Sequence, residues 1–362
     1  MNILYLDSIL GFYMGFRDIQ VPLVRILNHC HSSHLVKNTL SNLQYYKNSL
    51  QWVPTKTIDI SQTIEYDICG KLRTFCSTTP CIIPCPKNYD FTYMVNVRYV
   101  NYSVNEYGVY THNEKLISVN QCLFLDASFS VLQEKWIECT DKEDKYYVGV
   151  EDIRLFERNG TLWFIGTGLL EREKLGLKFG VYTPDKPLIP REMTCSFQKH
   201  CEKNWCFVPL LENVEQKETI IVYHWYPLQL CRLINDDKDK DATIELVRTM
   251  EMPLFFKNVR GSTCGFAYNQ EIWFVVHLVS YEGTNEYPNK RSYYHSLVVF
   301  DETMTQLKRY SAPFTIKQYC IEFCLGLIVE ENRVILSYST MDRTSHISMY
   351  DKTVVEERLC FS

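Results

Sequence analysis

The stretch VEDIRLFERNGTLWFIGTG, residues 150–168, reads as two strands joined by a tight turn. Patterned apolar residues flank Asn159-Gly160, and Asn-Gly is the strongest short hairpin signal because both central residues of a type I′ turn need positive φ. Four further stretches have the same build: VNVRYVNYSVNEYGVYTHN from Val95, WCFVPLLENVEQKETIIVYHW from Trp205, GSTCGFAYNQEIWFVVHL from Gly261 and CIEFCLGLIVEENRVILSYS from Cys320. Their turns fall at Asn105, Asn159, Gln216, Asn269 and Asn332, at intervals of 54, 57, 53 and 63 residues. A hairpin recurring about every 50 residues is the signature of propeller blades. An irregular β-sandwich gives no reason for a near-constant interval. The expectation is an all-β chain: a five-bladed β-propeller over residues 60–362, with a short N-terminal helical segment (1–59) packed outside the ring. Within that segment Leu23, Leu27 and Cys30 recur at helical spacing just after Pro22.

Composition agrees. Of 362 residues 14% are aromatic, with 25 Tyr and 19 Phe, which suit half-buried pleated surfaces. The net charge of -5 and the lack of a dense Lys/Arg stripe argue against nucleic acid as a partner. The 15 Cys are odd in number and often sit in apolar runs, which suits buried thiols in a reducing, cytoplasmic compartment better than a disulfide framework. No Cys-x-x-Cys occurs, and Cys30, His31 and His34 stand alone on the helical segment, so no metal is expected. The apolar start carries Asp7 and Arg17 and lacks a basic leader region, and no stretch has the length of an uncharged membrane span.

In a propeller the inner strands converge on one axial mouth, so polar residues at matching phases of the repeats should meet there. The first strand of each hairpin opens on such groups: Arg98; Glu151, Asp152 and Arg154; Lys203, Asn204 and Trp205; Arg260; Glu322. The second strands add His277 and, after Tyr338, Asp342. One charge facing a narrow axis is costly unless paired or hydrated, so several imply a polar, ligand-sized pocket. Strand alternation puts Asp152 and Arg154 on one face and Glu151 on the other.

At these residues the chain resembles glycoside hydrolase family 130, five-bladed propellers that include mannoside phosphorylases and hydrolases. Val150-Glu151-Asp152-Ile153-Arg154 is similar to that family's Glu-Asp-Pro-Arg signature. The closer likeness is to a branch seen in giant viruses and bacterial glycosyltransferase-associated proteins. It is carried by Arg98 to Tyr102, Glu202 to Trp205, Trp225-x-Pro227-Leu228, Arg260-Gly261-Ser262, Tyr293-Tyr294-His295 and Ser337-Tyr338…Asp342, in order over roughly residues 75–345. The resemblance implies that Asp152 is a general acid acting through a sugar hydroxyl, and that Asp342 holds that sugar. Ile153 replaces the signature proline, and the Arg expected before Tyr293 is displaced to Arg291.

Three activities compete. Glycosyl transfer to or from phosphate, or from a nucleotide sugar, would use phosphate or that nucleotide as co-substrate, with no other cofactor. Its anion pocket would draw on Arg98, Arg154, Lys203, Arg260, His277 and His295, which outnumber the acids at matching phases. Hydrolysis would need two carboxylates, Asp152 with Glu322 or Glu151. A non-catalytic glycan binder would stack sugars on Trp205, Trp225 and Tyr294. In each case Asn204 and Glu322 join the candidate sugar contacts, and the partner is a glycan or small sugar.

Overall fold

The protein is seen in a computed structural model that describes residues 50–68, 70–111, 116–140, 147–170, 175–197, 202–209, 218–234, 241–281, 283, 285–288 and 290–359. The expected helices before residue 50 and the Cys30, His31, His34 cluster lie outside the described residues.

The strands group into five blades around an axis. β1 (Lys56–Asp59) comes first in the chain. Blade 1 holds β2 (Thr63–Ile68), β3 (Lys71–Pro84), β4 (Tyr93–Val100), β7 (Leu116–Leu125), β8 (Val131–Ile137) and β9 (Tyr147–Val148); a separate ribbon of β5 (Ser103–Val104) and β6 (Tyr110–Thr111) projects between β4 and β7. Blade 2 is β10 (Glu151–Arg158), β11 (Thr161–Leu169), β12 (Leu175–Val181) and β13 (Arg191–Thr194). Blade 3 is β14 (Cys206–Val208), β15 (Ile220–Trp225), β16 (Leu228–Ile234) and β17 (Ala242–Met250), joined to blade 2 through a parallel β13–β17 pair. Blade 4 is β18 (Val259–Gly261), β19 (Phe266–Tyr268), β20 (Glu271–Tyr281), β21 (Arg291–Asp301) and β22 (Leu307–Tyr310). Blade 5 is β23 (Glu322–Val329), β24 (Arg333–Thr340) and β25 (Thr344–Asp351), completed by β1 and followed by the short helix α1 (Lys352–Glu356).

Side chains alternate across a strand, so a strand inside a ring of packed sheets must be apolar on both faces. β20 shows this. Ile272, Phe274, Val276 and Leu278 pack towards blade 3, with Val222 and Leu230. Trp273 and Val275 pack towards blade 5, with Leu327, Leu336 and Tyr338. Further clusters fill the gaps between blades 5 and 1 (Ile328, Ile335 and Ile347 against Val95, Val97 and Leu123), blades 1 and 2 (Met94 and Phe124 against Ile153, Leu155 and Phe164), and blades 2 and 3 (Trp163, Ile165 and Phe179 against Phe207 and Ile221). Five sheets stacked in an open row would have four interfaces. Five sheets with five interfaces form a closed ring.

Closure uses both ends of the described chain. β1 pairs antiparallel with β25, from Lys56↔Met349 to Asp59↔His346. Just before it, Trp52 stacks on Phe314 at 3.8 Å and its backbone N–H donates to the Thr315 carbonyl at 2.9 Å. Residues 50–59 therefore belong to the propeller, which corrects the boundary expected at residue 60. Edge pairing decides this, and nothing in the local sequence of a four-residue strand announces it.

Blade 1 corrects a second expectation. The turn at Asn105 belongs to the β5–β6 ribbon, where Asn105 caps a loop closed by Asn105–Val109 backbone bonds. The inner hairpin of this blade is β3–β4, and Arg98 lies on its second strand. β3 is the axial strand, packed against β10 and β23. Pro80 disguised it. The proline sits in a β-bulge between Thr78 and Cys81, where the ladder needs no N–H.

Candidate active site

The inner strands break at one level. The register of β10 shifts between Glu151 and Arg154, that of β3 between Thr78 and Cys81, and that of β23 between Cys324 and Gly326. The residues at or next to the break take positive φ: Thr79 (38°), Asp152 (54°) and Asn204 (66°). In blade 4 the inner strand splits into β18 and β19 around Ser262. Bulges re-aim side chains, and non-glycine residues held at positive φ cluster where function requires them.

The break in β10 overturns the expected alternation. Because Asp152 occupies the left-handed region, Glu151 and Asp152 both turn towards Arg98, and Ile153 alone enters the core between blades 1 and 2. The Arg98 guanidinium donates to Glu151 Oε2 at 2.8 Å, Asp152 Oδ1 at 3.1 Å and the Tyr102 hydroxyl at 3.0 Å, while its Nε donates to Ser118 Oγ at 2.8 Å. Lys203 Nζ reaches Glu151 Oε1 at 3.2 Å. Gly149 makes room for this contact between blades: at φ +84° it lies so close to the Ser118 carbonyl that a Cβ could not fit.

Arg154, fully buried, acts as a clamp. It donates to the carbonyls of Ser262 and of Asp152 (3.0 Å) and to Asn204 Oδ1 (3.1 Å), under the ring of Phe323. It thereby ties blades 2, 3 and 4 together at the axis. Asn204 serves as a ligand of that clamp.

Asp342 enters from blade 5. It sits in the tight turn between β24 and β25, where positive φ at both Met341 (54°) and Asp342 (49°) matches the sign pattern of a type I′ turn. Thr78 Oγ1 donates to its carboxylate at 3.4 Å. Burial, with help from the charges of Asp152 and Glu151, pushes the Asp342 carboxyl up to about 6, against the pull of Arg98 and Arg291. Arg291 in turn donates to the Tyr110 hydroxyl at 3.2 Å, and Tyr293 lies within the fields of Arg291, Asp342 and Arg260. His277 stacks on Tyr293 (5.6 Å) and bonds Ser262 Oγ through Nδ1 at 2.9 Å. Burial, with the neighbouring His295, Arg260 and Arg154, lowers the His277 pKa well below the usual value, so it is neutral near pH 7. Arg260 is exposed at the rim and reaches the Tyr281 hydroxyl at 3.4 Å.

Arg98, Glu151, Asp152, Arg154, Lys203, Asn204, Asp342, His277 and Arg260 thus gather at one axial mouth. Five other candidates lie elsewhere. Trp205 is in the core between blades 2 and 3, with Nε1 donating to Glu202 Oε2 at 3.3 Å. Trp225 and Tyr294 are in the core between blades 3 and 4. None of these rings can stack on a sugar. The fully buried Glu322 accepts the backbone N–H groups of Ile316, Lys317 and Tyr319 at 2.7–2.8 Å, which makes it a loop anchor. His295 is fully buried and driven by that burial to a pKa of about 3, so it carries no charge for an anion. The residues the sequence reading missed are Thr78, Tyr102, Tyr110, Ser118, Arg291 and Tyr293. Tyr102, Arg291 and Tyr293 stand in or beside the quoted motifs, whereas Thr78, Tyr110 and Ser118 give no sequence signal. Among the described residues no group of His, Cys, Asp and Glu could hold a metal, and no helix is long and apolar enough to cross a membrane.

No family profile and no curated protein sequence matches the chain. Solved structures do. A mannose phosphorylase of Leishmania mexicana in complex with a phosphate ion is 12% identical, with a TM-score of 0.51, covering 91% of this chain and 98% of its own. A GDP-mannose-dependent mannosyltransferase of the same organism is 12% identical, with a TM-score of 0.52 and coverages of 88% and 95%. A structure from glycoside hydrolase family 130, described as mannoside phosphorylases that include hydrolases of β-1,2 mannosidic linkages in Candida mannan, is 11% identical, with a TM-score of 0.52 and coverages of 76% and 84%. At these identities the likeness is one of fold: the chain is a propeller of the kind found in family 130.

Proposed function

We propose that the protein is a carbohydrate-active enzyme that transfers a glycosyl group, of the mannosyl type, to or from a phosphate group at the axial mouth. One observation carries the reading. Five cations (Arg98, Arg154, Lys203, Arg260, Arg291) face three carboxylates (Glu151, Asp152, Asp342), and Asp342 is itself partly protonated near pH 6. A site with surplus positive charge favours an anionic substrate, here inorganic phosphate or the diphosphate of a nucleotide sugar. The fold neighbours named above act on mannosides or GDP-mannose, which supports the sugar class.

In this reading the C–O bond at the anomeric carbon breaks and the incoming oxygen bonds there. In transfer to phosphate the departing sugar oxygen takes a proton; in transfer from phosphate or a nucleotide the phosphate leaves as an anion while the acceptor hydroxyl gives up its proton. Asp152 supplies the first proton or receives the second, through a sugar hydroxyl. A phosphate on Arg98 would compete with Asp152 for the guanidinium. Asp342 holds the sugar. Hydrolysis fits less well, because Glu151 and Asp152 share one guanidinium instead of flanking a bond. A purely glycan-binding role loses its support with the burial of Trp205, Trp225 and Tyr294.

The test is to incubate the protein with sugar 1-phosphates or nucleotide sugars and mannose-type acceptors, and to measure released phosphate or nucleotide. Turnover is expected, and Asp152→Asn should lower it about 100- to 10,000-fold. Absence of turnover with every donor, together with absence of any heat of phosphate binding at millimolar concentration, would sink the reading.

A further inference from the structure

Beside the charged mouth lies a concavity, formed around the residues that flank Asp342. Its walls are the β5–β6 ribbon (Asn105, Glu106) and blade 5 (Tyr319, Thr340, Met341, Arg343), and it is an open groove of about 410 Å³. That volume falls within the roughly 300–1,000 Å³ of ligand sites.

The ribbon is tied down so that the groove has a fixed shape. Arg343 Nη2 donates to Ser103 Oγ at 2.8 Å, and the Val104 N–H reaches the Met341 carbonyl at 3.5 Å. On the ribbon's other side Arg291 bonds Tyr110, and Tyr107 stacks on Tyr287 at 4.1 Å. A ribbon emerging from blade 1 is thus pinned to blades 4 and 5. The groove and the axial site share one element: Met341 and Arg343 line the groove, and Asp342 between them belongs to the axial site.

The groove and the axial mouth differ in charge. The axial mouth is rich in cations, whereas the groove holds one acid, Glu106, and one base, Arg343. Its remaining lining is amide, hydroxyl and thioether groups, the aliphatic Val104 and one aromatic ring, that of Tyr319, which is 51% exposed. A neutral ligand with many hydroxyls and an apolar ring face matches this surface, because aromatic side chains offer a flat apolar body with a polar tip.

We infer that this groove is a saccharide subsite that holds the residues of an acceptor glycan beyond the sugar at the axial mouth. The inference rests on the glycosyl-transfer reading for the word acceptor; the affinity for a saccharide chain stands on the groove alone. The ligand is an oligosaccharide, and free mannose is too short to occupy both places. Tyr319 supplies the stacking face, and Glu106, Thr340 and Arg343 supply hydroxyl partners.

The experiment is calorimetric titration of the full chain with mannose, with a linear mannotriose and with inorganic phosphate. Mannotriose should bind at least about 10-fold more tightly than mannose. Tyr319→Ala should weaken mannotriose about 3- to 10-fold, the size of an aromatic contact, while leaving mannose and phosphate affinities unchanged. Tyr319→Phe should keep the wild-type affinity. Equal affinity for mannose and mannotriose overturns the inference, as does a Tyr319→Ala protein that binds mannotriose normally. Tyr319-dependent mannotriose binding without any phosphate binding upholds the groove and counts against the axial reading instead.

Discussion

Asp342 combines two unfavourable circumstances: a non-glycine backbone at φ 49° and a carboxyl pushed up from 3.8 to about 6. The second has a consequence for stability. Between about pH 4 and 6 the folded chain keeps the Asp342 proton that the unfolded chain has lost. Stability from this group therefore falls as pH rises through that window and stays reduced above it. Asp342→Asn removes the charge with little change of shape. It should stabilise the protein by about 1–2 kcal/mol at pH 7, after allowing for solvent screening of a partly exposed group, and by almost nothing at pH 4. Thermal melts at the two pH values check this: a variant no more stable at pH 7 than the wild type would show that Asp342 is ionised without penalty. The same variant should lose glycosyl transfer, since the sugar loses its carboxylate.

At the scale of elements, the repeated break in the inner strands matters most. A regular β10 would send Glu151 away from Asp152; the bulge brings both to Arg98. Glu322 shows the opposite case, an acid at a matching phase that serves architecture. Its two oxygens accept from Ile316, Lys317 and Tyr319, shaping the loop before β23. Gln can accept at only one end, so Glu322→Gln places an NH₂ group against a backbone N–H. The variant should be less stable by about 2 kcal/mol in urea titration, with phosphate affinity unchanged. A selective loss of ligand binding at full stability would restore Glu322 to the site.

For the whole molecule, stability depends on closing the ring. Trp52 lies in the interface between blades 4 and 5, 1% exposed, although it precedes β1. Trp52→Ala should destabilise the protein by about 3–5 kcal/mol, as for a tryptophan inside a blade. Differential scanning calorimetry should show one transition moved to lower temperature. A normal melting temperature would mean that residues 50–59 are dispensable to closure.

Strand and turn identity were legible locally. Asn159-Gly160 and Asn269-Gln270 take the positive φ their turn requires, and the two-faced apolar pattern of Glu271–Tyr281 marks a strand buried on both sides. Their recurrence pointed to five blades although only the turns at Asn159, Asn269 and Asn332 are seen to join inner strands: the Asn105 turn belongs to the ribbon, and the Gln216 turn lies outside the described residues. Shared phase drew attention to Arg98, Asp152, Arg154, Arg260 and Asp342. These features follow from steric preferences of neighbouring residues, which a sequence carries directly. The direction of a side chain after a bulge does not, because it depends on the register with another strand. Glu151 therefore joined the site only in three dimensions, and Pro80 concealed the axial strand of blade 1. Trp205, Trp225 and Tyr294 have the composition of a sugar platform, but whether an aromatic ring meets a ligand or another blade is set by the packing of distant sheets. Closure by residues 56–59 was likewise decided by the free edge of β25, nearly 300 positions away in the chain.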